Sequence, residues 1–133
     1  MIMTKLRTIP APHIDPDTQE YWKGISEGKL LVKYCRSCKS PHYYPRAICP
    51  HCGSDDTYFE ESSGRGHIYS FSVFRAAPAP YAIAYVTLAG TDISMMTNIV
   101  NCDFDALDIG QEVKVCFSET EGDGPPVPTF EPV

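Results

Sequence analysis

The chain has 133 residues, of which 43% are hydrophobic and 21% charged, and its formal net charge at pH 7 is −6. This composition predicts a globular protein of one domain, or of two small domains that share a core. It argues against a membrane protein, because no stretch approaches the roughly 20 apolar residues of a spanning helix, and the opening M-I-M-T-K-L-R-T-I-P lacks the apolar run of a signal peptide.

Basic and acidic residues are segregated along the chain. Residues 28–54 contain five basic residues and no acidic residue, whereas residues 66–133 contain two basic residues and nine acidic ones. The two halves therefore carry opposite electrostatic fields. The basic residues of the first segment are Lys29, Lys33, Arg36, Lys39 and Arg46.

The first predicted element is a short helix. Residues 1–14 contain prolines and no periodicity, which predicts an extended arm that lies on the rest of the protein. Asp15 is a favoured N-cap residue and Pro16 a favoured first helical residue. Gly28 is a favoured residue just beyond a helix end. The apolar face of this helix comprises Tyr21, Trp22 and Ile25.

Two C-x-x-C pairs, separated by ten residues, follow a short predicted strand at residues 30–34. Each pair bends the backbone into a tight turn, so four thiolates can converge on one point. Four sulfurs make a closed tetrahedral site for Zn²⁺, and iron would fit the same ligands. The alternative, two chance pairs that are redox-active or without a ligand, is disfavoured because both pairs fall in one turn-rich segment. The predicted ligands are Cys35, Cys38, Cys49 and Cys52.

The residues around the cysteines add detail to this site. Gly53 follows the second pair, at a place where positive φ lets a backbone N–H reach a thiolate. Lys39 occupies the equivalent place after the first pair and is less suited to it. His42 and His51 lie between or within the pairs and are alternative ligands. The cations that can offset the formal −2 of a ZnS₄ site are Arg36, Lys39 and Arg46.

Two further cysteines, Cys102 and Cys116, have no metal-ligand spacing. Cysteines used for metal, with two left unpaired, indicate a reducing cytoplasm. A lone cysteine on a strand is more often a small core residue than a nucleophile. The sequence shows no nucleophile paired with a base and no carboxylate pair, and a four-sulfur site has no open position. We therefore expect no catalytic activity from this chain.

The second half of the chain has the period-two pattern of strands. In the first strand Phe71 and Val73 alternate with serines, and we expect the aromatic residues Tyr69, Phe71 and Phe117 to face the core. Five short strands, with the most elaborate connection between the third and fourth, predict a small closed barrel of the oligonucleotide/oligosaccharide-binding (OB) type. An open sandwich is the main alternative. The other strands are predicted at residues 81–88, 93–100, 111–118 and 127–130.

Nucleic-acid binding is one function that a zinc ribbon and an OB barrel suggest. Such a barrel needs a basic groove that follows the phosphates, and aromatic side chains for stacking. The barrel half has only two basic residues against nine acidic ones, which disfavours a polyanion. A single-stranded nucleic-acid-binding protein therefore stays the alternative function.

A ligand-holding or partner-binding module is the other possibility. The basic, Tyr-rich ribbon and the Trp-bearing helix can frame a cleft that is partly basic and partly apolar. Such a cleft suits a molecule with phosphates at one end and an aliphatic arm at the other, which is the anatomy of a coenzyme A thioester. The alternative is that Trp22 and the tyrosines simply pack the helix onto the ribbon. The predicted ligand or partner contacts are Trp22, Lys33, Arg36, Tyr44 and Arg46.

The order of motifs in this chain is distinctive. It runs from Y-W-K-G-I-S-E-G-K-L through C-R-S-C and Y-Y-P-R-A-I-C-P-H-C-G to S-G-R-G-H-I-Y-S-F-S-V, and continues with P-Y-A-I-A-Y-V-T-L, M-T-N-I-V-N-C, D-I-G-Q-E-V-K-V and F-E-P. Over nearly its whole length the chain resembles the rubredoxin-like zinc-ribbon/OB-fold family of acyl-CoA-associated proteins. It departs from the family at Lys39, where glycine is frequent, and at residues 75–80, which form a shorter connection.

This resemblance implies a mainly β protein with an arm and helix over residues 1–28, a zinc ribbon over 29–57 and an OB barrel over 58–133. It also implies a non-catalytic companion subunit of a thiolase-superfamily enzyme, such as a thiolase, a hydroxymethylglutaryl-CoA synthase or a lipid-transfer-protein-like aldolase. In that role the chain would bridge or stabilise the catalytic subunit and help to bind or channel acyl-CoA.

Overall fold

The computed structural model describes residues 8–76 and 78–133. The first half of the predicted arm and one residue of the connection at 75–80 lie outside the described residues. The described arm contacts the barrel half, since the carbonyl of Ile9 accepts a hydrogen bond of 2.8 Å from the backbone N–H of Glu121. The helices and strands, in chain order, are a 3₁₀ turn Pro16–Thr18, α1 Gln19–Ser26, β1 Leu31–Cys35, β2 Pro41–His42, β3 Thr57–Glu61, β4 Arg65–Phe74, β5 Tyr81–Leu88, β6 Ser94–Ile99, a 3₁₀ turn Phe104–Ala106, β7 Glu112–Ser118 and β8 Val127–Pro132.

The predicted helix begins as the 3₁₀ turn Pro16–Thr18, which Asp15 caps, and continues as α1 from Gln19 to Ser26. Asp15 is the N-cap residue with Pro16 in the first position, and the Thr18 hydroxyl donates to the Asp15 carboxylate at 3.1 Å. Gly28 follows the helix with a φ of +81°, a conformation that glycine adopts without the steric penalty of a Cβ. The apolar face is buried as predicted. Tyr21 and Ile25 are almost inaccessible to solvent.

The ribbon is a three-stranded antiparallel sheet with the strand order β2-β1-β3. Lys33 of β1 pairs with His42 on one side and with Phe59 on the other. Cys35 is the last residue of β1, and the other three cysteines lie in the loops beyond this sheet. Cys35 pairs with Thr57 of β3, so the first cysteine turn lies beside the segment that follows the second pair.

The second half of the chain is a closed barrel with the strand order β4-β5-β6-β8-β7, in which β7 returns to β4. Each neighbouring pair is antiparallel except β6 and β8, which run parallel and meet at Ile99 and Phe130. This confirms the predicted five-stranded OB barrel. Ile99 and Phe130 are both buried, so apolar packing closes the seam where the ladder is shortest.

One predicted core residue is on the surface. Tyr69 is 64% exposed, whereas Phe71 and Val73 pack against the core. The cause is a β-bulge, because the pairing with β5 shifts register between Ile68 and Ser70. An inserted residue reverses the inward–outward alternation of every residue after it. The prediction that Tyr69 faces the core was therefore wrong.

The helix, the ribbon and the barrel share one hydrophobic core. Tyr21 and Ile25 of α1 belong to the same buried cluster as Val32 of β1 and Val86 and Phe130 of the barrel. A common core explains how so short a helix persists, since isolated helices of this length are marginal in water. Among the described residues, no helix is both long and apolar enough to cross a membrane.

Candidate metal centre and contact residues

The structure brings the four cysteines of the two C-x-x-C pairs together. Their four Sγ atoms all lie within 4.8 Å of one another. The Sγ atoms of Cys35 and Cys52 are 3.6 Å apart, and those of Cys38 and Cys49 are 3.7 Å apart. A tetrahedral site with Zn–S bonds of about 2.3 Å separates its sulfurs by about 3.8 Å. The cluster therefore has the dimensions of a four-sulfur metal site.

The two cysteine turns have matching backbone geometry. The backbone N–H of Cys35 donates to the carbonyl of Ser40, and that of Cys49 donates to the carbonyl of Ser54. Lys39 has a φ of +60° and Gly53 a φ of +78°, so both residues after the pairs adopt the left-handed conformation. The sequence predicted this conformation at Gly53, and the structure extends it to Lys39, where a Cβ makes it costly.

The chemistry of the sulfurs also fits a cation. The backbone N–H of Cys38 donates to the Cys35 sulfur and lowers the pKa of that thiol to about 6, against partial desolvation. The N–H of Ser54 favours the Cys52 thiolate, but desolvation and the neighbouring sulfurs raise the pKa of that thiol to about 12. The Cys35 thiol therefore ionises easily, whereas the neighbouring Cys52 thiol resists ionisation. A dication among them favours all four thiolates together.

Neither candidate histidine ligand joins this cluster. Among the described residues, the four cysteines form the one group of three or more potential metal-ligating side chains whose ligand atoms converge. His42 is buried, and its Nε2 accepts the backbone N–H of Arg46 at 3.2 Å, so the neutral ring carries its proton on Nδ1. Burial lowers the pKa of His42 and keeps the ring neutral. The Nε2 atom of His51 lies 3.2 Å from the carbonyl of Pro41.

The predicted cation contacts Lys33 and Arg36 do not converge. The Nζ atom of Lys33 lies 4.0 Å from the ring centre of Phe59, and the guanidinium of Arg36 lies 4.3 Å from that of Tyr58. Tyr58 and Phe59 are neighbours on β3, and neighbouring residues on a strand face opposite sides of the sheet. The two cations therefore lie on opposite faces of the ribbon and cannot grip one phosphate together.

Arg36 also has a carboxylate partner. Its guanidinium lies 2.9 Å from Asp56 in an exposed ion pair. Exposed pairs contribute little to stability, roughly 0.2–1 kcal/mol. The neighbouring carboxylate nevertheless offsets the positive field that the sequence predicts for this surface. Residues 28–54 are free of acids, but the fold returns Asp56 to the turn of the first pair. The contact between Arg36 and Asp56 could have been predicted from the pairing of β1 with β3, because that pairing brings the two residues together.

Trp22 and Tyr44 contact each other. The indole Nε1 of Trp22 donates to the phenol oxygen of Tyr44 at 2.9 Å, and Trp22 is only 7% exposed. Beside them the ring of Tyr21 packs edge-on against Trp22 and Tyr44, with ring centres 4.9 and 5.5 Å apart. These aromatic contacts hold α1 on the ribbon loop. Tyr44 is the member of this group that retains an exposed surface.

Arg46 faces an acidic neighbourhood. It lines a depression of about 490 Å³ beside the ribbon loop, together with Tyr44 and two carboxylate residues at the start of the helix, Asp15 and Asp17. A depression with two carboxylates and one guanidinium does not favour an anion on charge alone. The structure therefore places the predicted contacts at three separate points and not in one basic cleft.

The unpaired cysteines lack the environment of a nucleophile. Burial raises the pKa of both the Cys102 and the Cys116 thiol. The Cys116 sulfur also lies 3.2 Å from the hydroxyl of Thr129 in the barrel wall. Reactive cysteines have lowered pKa values and partial exposure. These two thiols therefore resemble structural residues of the barrel.

A set of exposed apolar residues on the outside of the barrel was not predicted from the sequence. Ile83 and Tyr85 of β5 and Met96 of β6 point outward and are well exposed. The signal was present in β5, whose sequence Y-A-I-A-Y-V-T-L is apolar on both faces. A strand that is apolar on both faces indicates that both faces are covered.

Comparison with known proteins agrees with this architecture. Residues 22–57 match a family model described as the ChsH2 rubredoxin-like zinc ribbon domain, and residues 59–118 match one described as the ChsH2 C-terminal OB-fold domain. A DUF35 domain-containing scaffold protein of Methanothermobacter thermautotrophicus is 31% identical over 116 residues, which cover 81% of this chain and 86% of that protein.

A probable enoyl-CoA hydratase alpha subunit of Thermomonospora curvata is 32% identical over 129 residues. The match covers 92% of this chain but only 40% of that protein, so the chain spans less than half of this relative.

Two solved structures have the same fold. One, named Ltp2-ChsH2(DUF35) aldolase, has a TM-score of 0.78 and 30% sequence identity, and the match covers 91% of this chain and 98% of that one. The other, a protein of unknown function from the DUF35 family of Sulfolobus solfataricus, has a TM-score of 0.67 at 13% identity. The chain therefore belongs to the DUF35 family of ChsH2-type proteins, which join a rubredoxin-like zinc ribbon to an OB barrel.

Proposed function

We propose that this chain is a non-catalytic subunit that binds a thiolase-like enzyme and helps that enzyme to hold acyl-CoA substrates. The observation that carries the proposal is the likeness to the structure named Ltp2-ChsH2(DUF35) aldolase, in which 98% of the compared chain is matched. That name joins a DUF35 protein to a second protein in one aldolase. The relatives called a scaffold protein and an alpha subunit are consistent with the same kind of role.

The metal centre has a structural part in this proposal. Cys35, Cys38, Cys49 and Cys52 would hold a Zn²⁺ ion, which when bound supplies a fixed tetrahedral cross-link between the two turns. Four sulfur ligands leave no position at which water could be activated. The ribbon sheet has only three short strands, so the cross-link stabilises a unit whose own core is small.

The environment of the two cysteines outside the metal centre supports a non-catalytic role. A nucleophile needs a lowered pKa or an adjacent base, and burial shifts Cys102 and Cys116 in the opposite direction. The name enoyl-CoA hydratase belongs to a relative of which this chain matches 40%. In our proposal the chemistry resides in the partner, and this chain contributes binding and support.

In this proposal each cation of the ribbon makes its own separate contact with the acyl-CoA or with the partner. Lys33, Arg36 and Arg46 lie apart on the ribbon, so each meets a phosphate or an acidic residue at the edge of the partner. Tyr44 offers an apolar surface beside them, with Trp22 buried behind it as its positioning residue. Since no single cleft gathers these groups, we expect tight CoA binding only in the complex.

Co-elution tests the partnership. The chain is to be co-expressed with a thiolase-like protein of the same organism and passed over a size-exclusion column. We expect one complex, acyl-CoA turnover that requires the partner, and no turnover by the zinc-loaded chain alone. Separate elution contradicts the partnership, and hydrolysis of acyl-CoA by the chain alone contradicts the non-catalytic role. A shift of single-stranded DNA with steep salt dependence would favour the nucleic-acid alternative.

A further inference from the structure

We propose that the outer faces of β5 and β6, together with the adjoining Phe74 of β4, bind an apolar, uncharged surface of the catalytic partner. This inference rests on the proposed function and specifies which surface of the chain makes the main contact. We call this surface the outer barrel face. Its large apolar members are Phe74, Tyr81, Ile83, Tyr85 and Met96.

Strand register places these side chains side by side. Phe74 pairs with Tyr81, and their ring centres are 5.5 Å apart. Tyr85 pairs with Met96 across β5 and β6. Directly paired residues on one face of a sheet have Cβ atoms about 4.5–5.5 Å apart. Ile83 lies on β5 between the two pairs, so the apolar side chains form one continuous patch.

The patch is exposed and without charge. Its four most exposed large side chains are 39% to 63% accessible. The β4 residues that pair with Tyr85 and Ile83 are Ser70 and Ser72, which are too small to cover them. Asn98 pairs with Ile83 on the other side. The outward residues of β5 and β6 include no Asp, Glu, Lys or Arg. In a protein with a net charge of −6, this uncharged patch is matched by an uncharged partner surface.

The distribution of large and small residues is inverted in the first part of β5, before the buried Val86. Ala82 and Ala84 face the core, whereas Ile83 and Tyr85 face outward. A sheet with one solvated face normally directs large apolar residues inward and polar residues outward. Ile83 and Tyr85 are therefore the residues of a covered surface.

The size of the patch is appropriate to an interface. An aromatic side chain presents about 150–250 Å², so five large side chains that are about half exposed contribute on the order of 500 Å². The largest apolar patch of a typical monomer is about 300–600 Å², and such patches are frequently functional. One side of a standard interface is about 800 Å². The outer barrel face can therefore supply the apolar centre of one such interface.

A shallow depression gives the patch a place for one partner side chain. It has a volume of about 200 Å³ and is lined by Tyr81, Ile83, Met96, Thr97 and Asn98. Binding energy at interfaces concentrates in such sites, where an apolar or aromatic residue of one partner fills a pocket of the other. We assign to this depression a branched aliphatic or aromatic side chain of the catalytic subunit.

Charge distinguishes this occupant from a nucleic acid. In OB folds the second and third strands, here β5 and β6, form the surface that commonly binds oligonucleotides. Stacking on aromatics such as Tyr85 requires basic residues nearby for the phosphates. The outward residues of β5 and β6 include no lysine or arginine. The same surface here is therefore suited to an apolar protein partner.

Tyr85→Glu and Met96→Glu test the proposal. Each places a carboxylate in the patch without entering the core, so thermal stability and metal content should remain those of the native chain. Lys114→Glu, at an exposed outward position of β7, is the matched control. We expect both patch variants to weaken binding of the thiolase-like partner by at least about 30-fold in a titration, the effect of losing one hot-spot residue, and the control to bind normally.

The outcomes separate this inference from the proposed function. If the native chain binds the partner and both patch variants bind it equally well, the outer barrel face is not the interface, although the partnership stands. If the native chain does not bind the partner, both proposals fail. If the chain alone sediments as a dimer that Met96→Glu dissociates, the occupant is a second copy and the inference is overturned. Loss of single-stranded DNA binding in Tyr85→Glu would overturn it in favour of a nucleic acid.

Discussion

The phenol oxygen of Tyr21 on α1 lies 2.9 Å from the phenol oxygen of Tyr43 on the ribbon loop. This hydrogen bond joins the helix to the segment between the two cysteine pairs, in the interior of the protein. Burial raises the pKa of Tyr43 to about 12. Burial, and then the neighbouring Tyr43, raise the pKa of Tyr21 still further.

These shifts predict alkaline unfolding. An unfolded tyrosine has a pKa of about 10, so below pH 10 both phenols are protonated in the folded and the unfolded chain, and their stabilising contribution is complete. Above pH 10 the unfolded chain loses these protons while the folded chain keeps them. The free energy of unfolding should then fall by up to about 1.4 kcal/mol per pH unit for each tyrosine, until the pH reaches the folded pKa.

Urea unfolding at pH 8, 10 and 11 measures this slope, and absorbance at 295 nm reports phenolate formation. Tyr43→Phe removes one titrating group, so its stability should fall less steeply above pH 10. At pH 8 the same variant should lose about 1–3 kcal/mol, because the buried Tyr21 hydroxyl loses its partner. A stability that stays constant between pH 10 and pH 11 would show that these phenols are not buried.

Replacement of Cys49 by alanine tests the metal centre. Cys49 is buried, and its loss leaves three sulfurs that cannot complete a tetrahedral site. We expect the variant to purify without metal and to unfold its ribbon, since metal binding supplies folding free energy to small zinc domains. Mass spectrometry measures metal per chain. The single tryptophan, Trp22, reports the ribbon, because its emission should shift to the red when the contact with Tyr44 is lost.

Cys116→Ala is the control for this experiment. Cys116 lies in the barrel wall beside Thr129 and outside the sulfur cluster. It should retain full metal content and the native Trp22 emission. A Cys49→Ala chain with the stability of the native protein would contradict a structural metal centre.

The two cysteine turns allow a paired test of backbone strain. Lys39 and Gly53 occupy equivalent left-handed positions, and only Lys39 bears the penalty of a Cβ there. Lys39→Gly should stabilise the protein by about 0.5–1 kcal/mol, after allowance for the greater freedom of glycine in the unfolded chain. Gly53→Ala should destabilise it by about 1 kcal/mol through φ alone, since no neighbour lies within 4 Å of the new Cβ. Thermal unfolding measures both, and a destabilising Lys39→Gly would contradict the equivalence of the turns.

The fold was predictable because its signals are local. The spacing of the cysteines, the N-cap at Asp15 and the period-two strands each determine structure within a few residues, and the structure confirms the short helix and the closed five-stranded barrel. The prediction that Tyr69 faces the core was wrong for a reason that is not local. Its bulge becomes evident only when β4 is paired with β5, and a shift of one residue reverses which side chains face the core.

The contact residues were harder to predict because they depend on how elements meet. Lys33 and Arg36 are grouped by charge in the sequence, but strand alternation separates them to opposite faces of the ribbon. The sequence is compatible with Trp22 either binding a ligand or packing the helix, and the structure shows the packing contact with Tyr44. The excess of acidic over basic residues was counted over the whole barrel half. That count does not show that the face around Tyr85 is uncharged.

The G-R-G motif at the start of β4 predicts a large effect from one methyl group. A Cβ at Gly66 would lie 2.5 Å from the backbone carbonyl oxygen of Thr87 on β5, which cannot move without breaking the barrel ladder. Gly66→Ala should therefore cost about 3 kcal/mol or more. Gly90→Ala is the control, since its Cβ meets nothing within 4 Å and its φ of +78° alone should cost about 1 kcal/mol. Urea unfolding compares the two variants, and a Gly66→Ala chain as stable as Gly90→Ala would show that β4 and β5 approach less closely at this point.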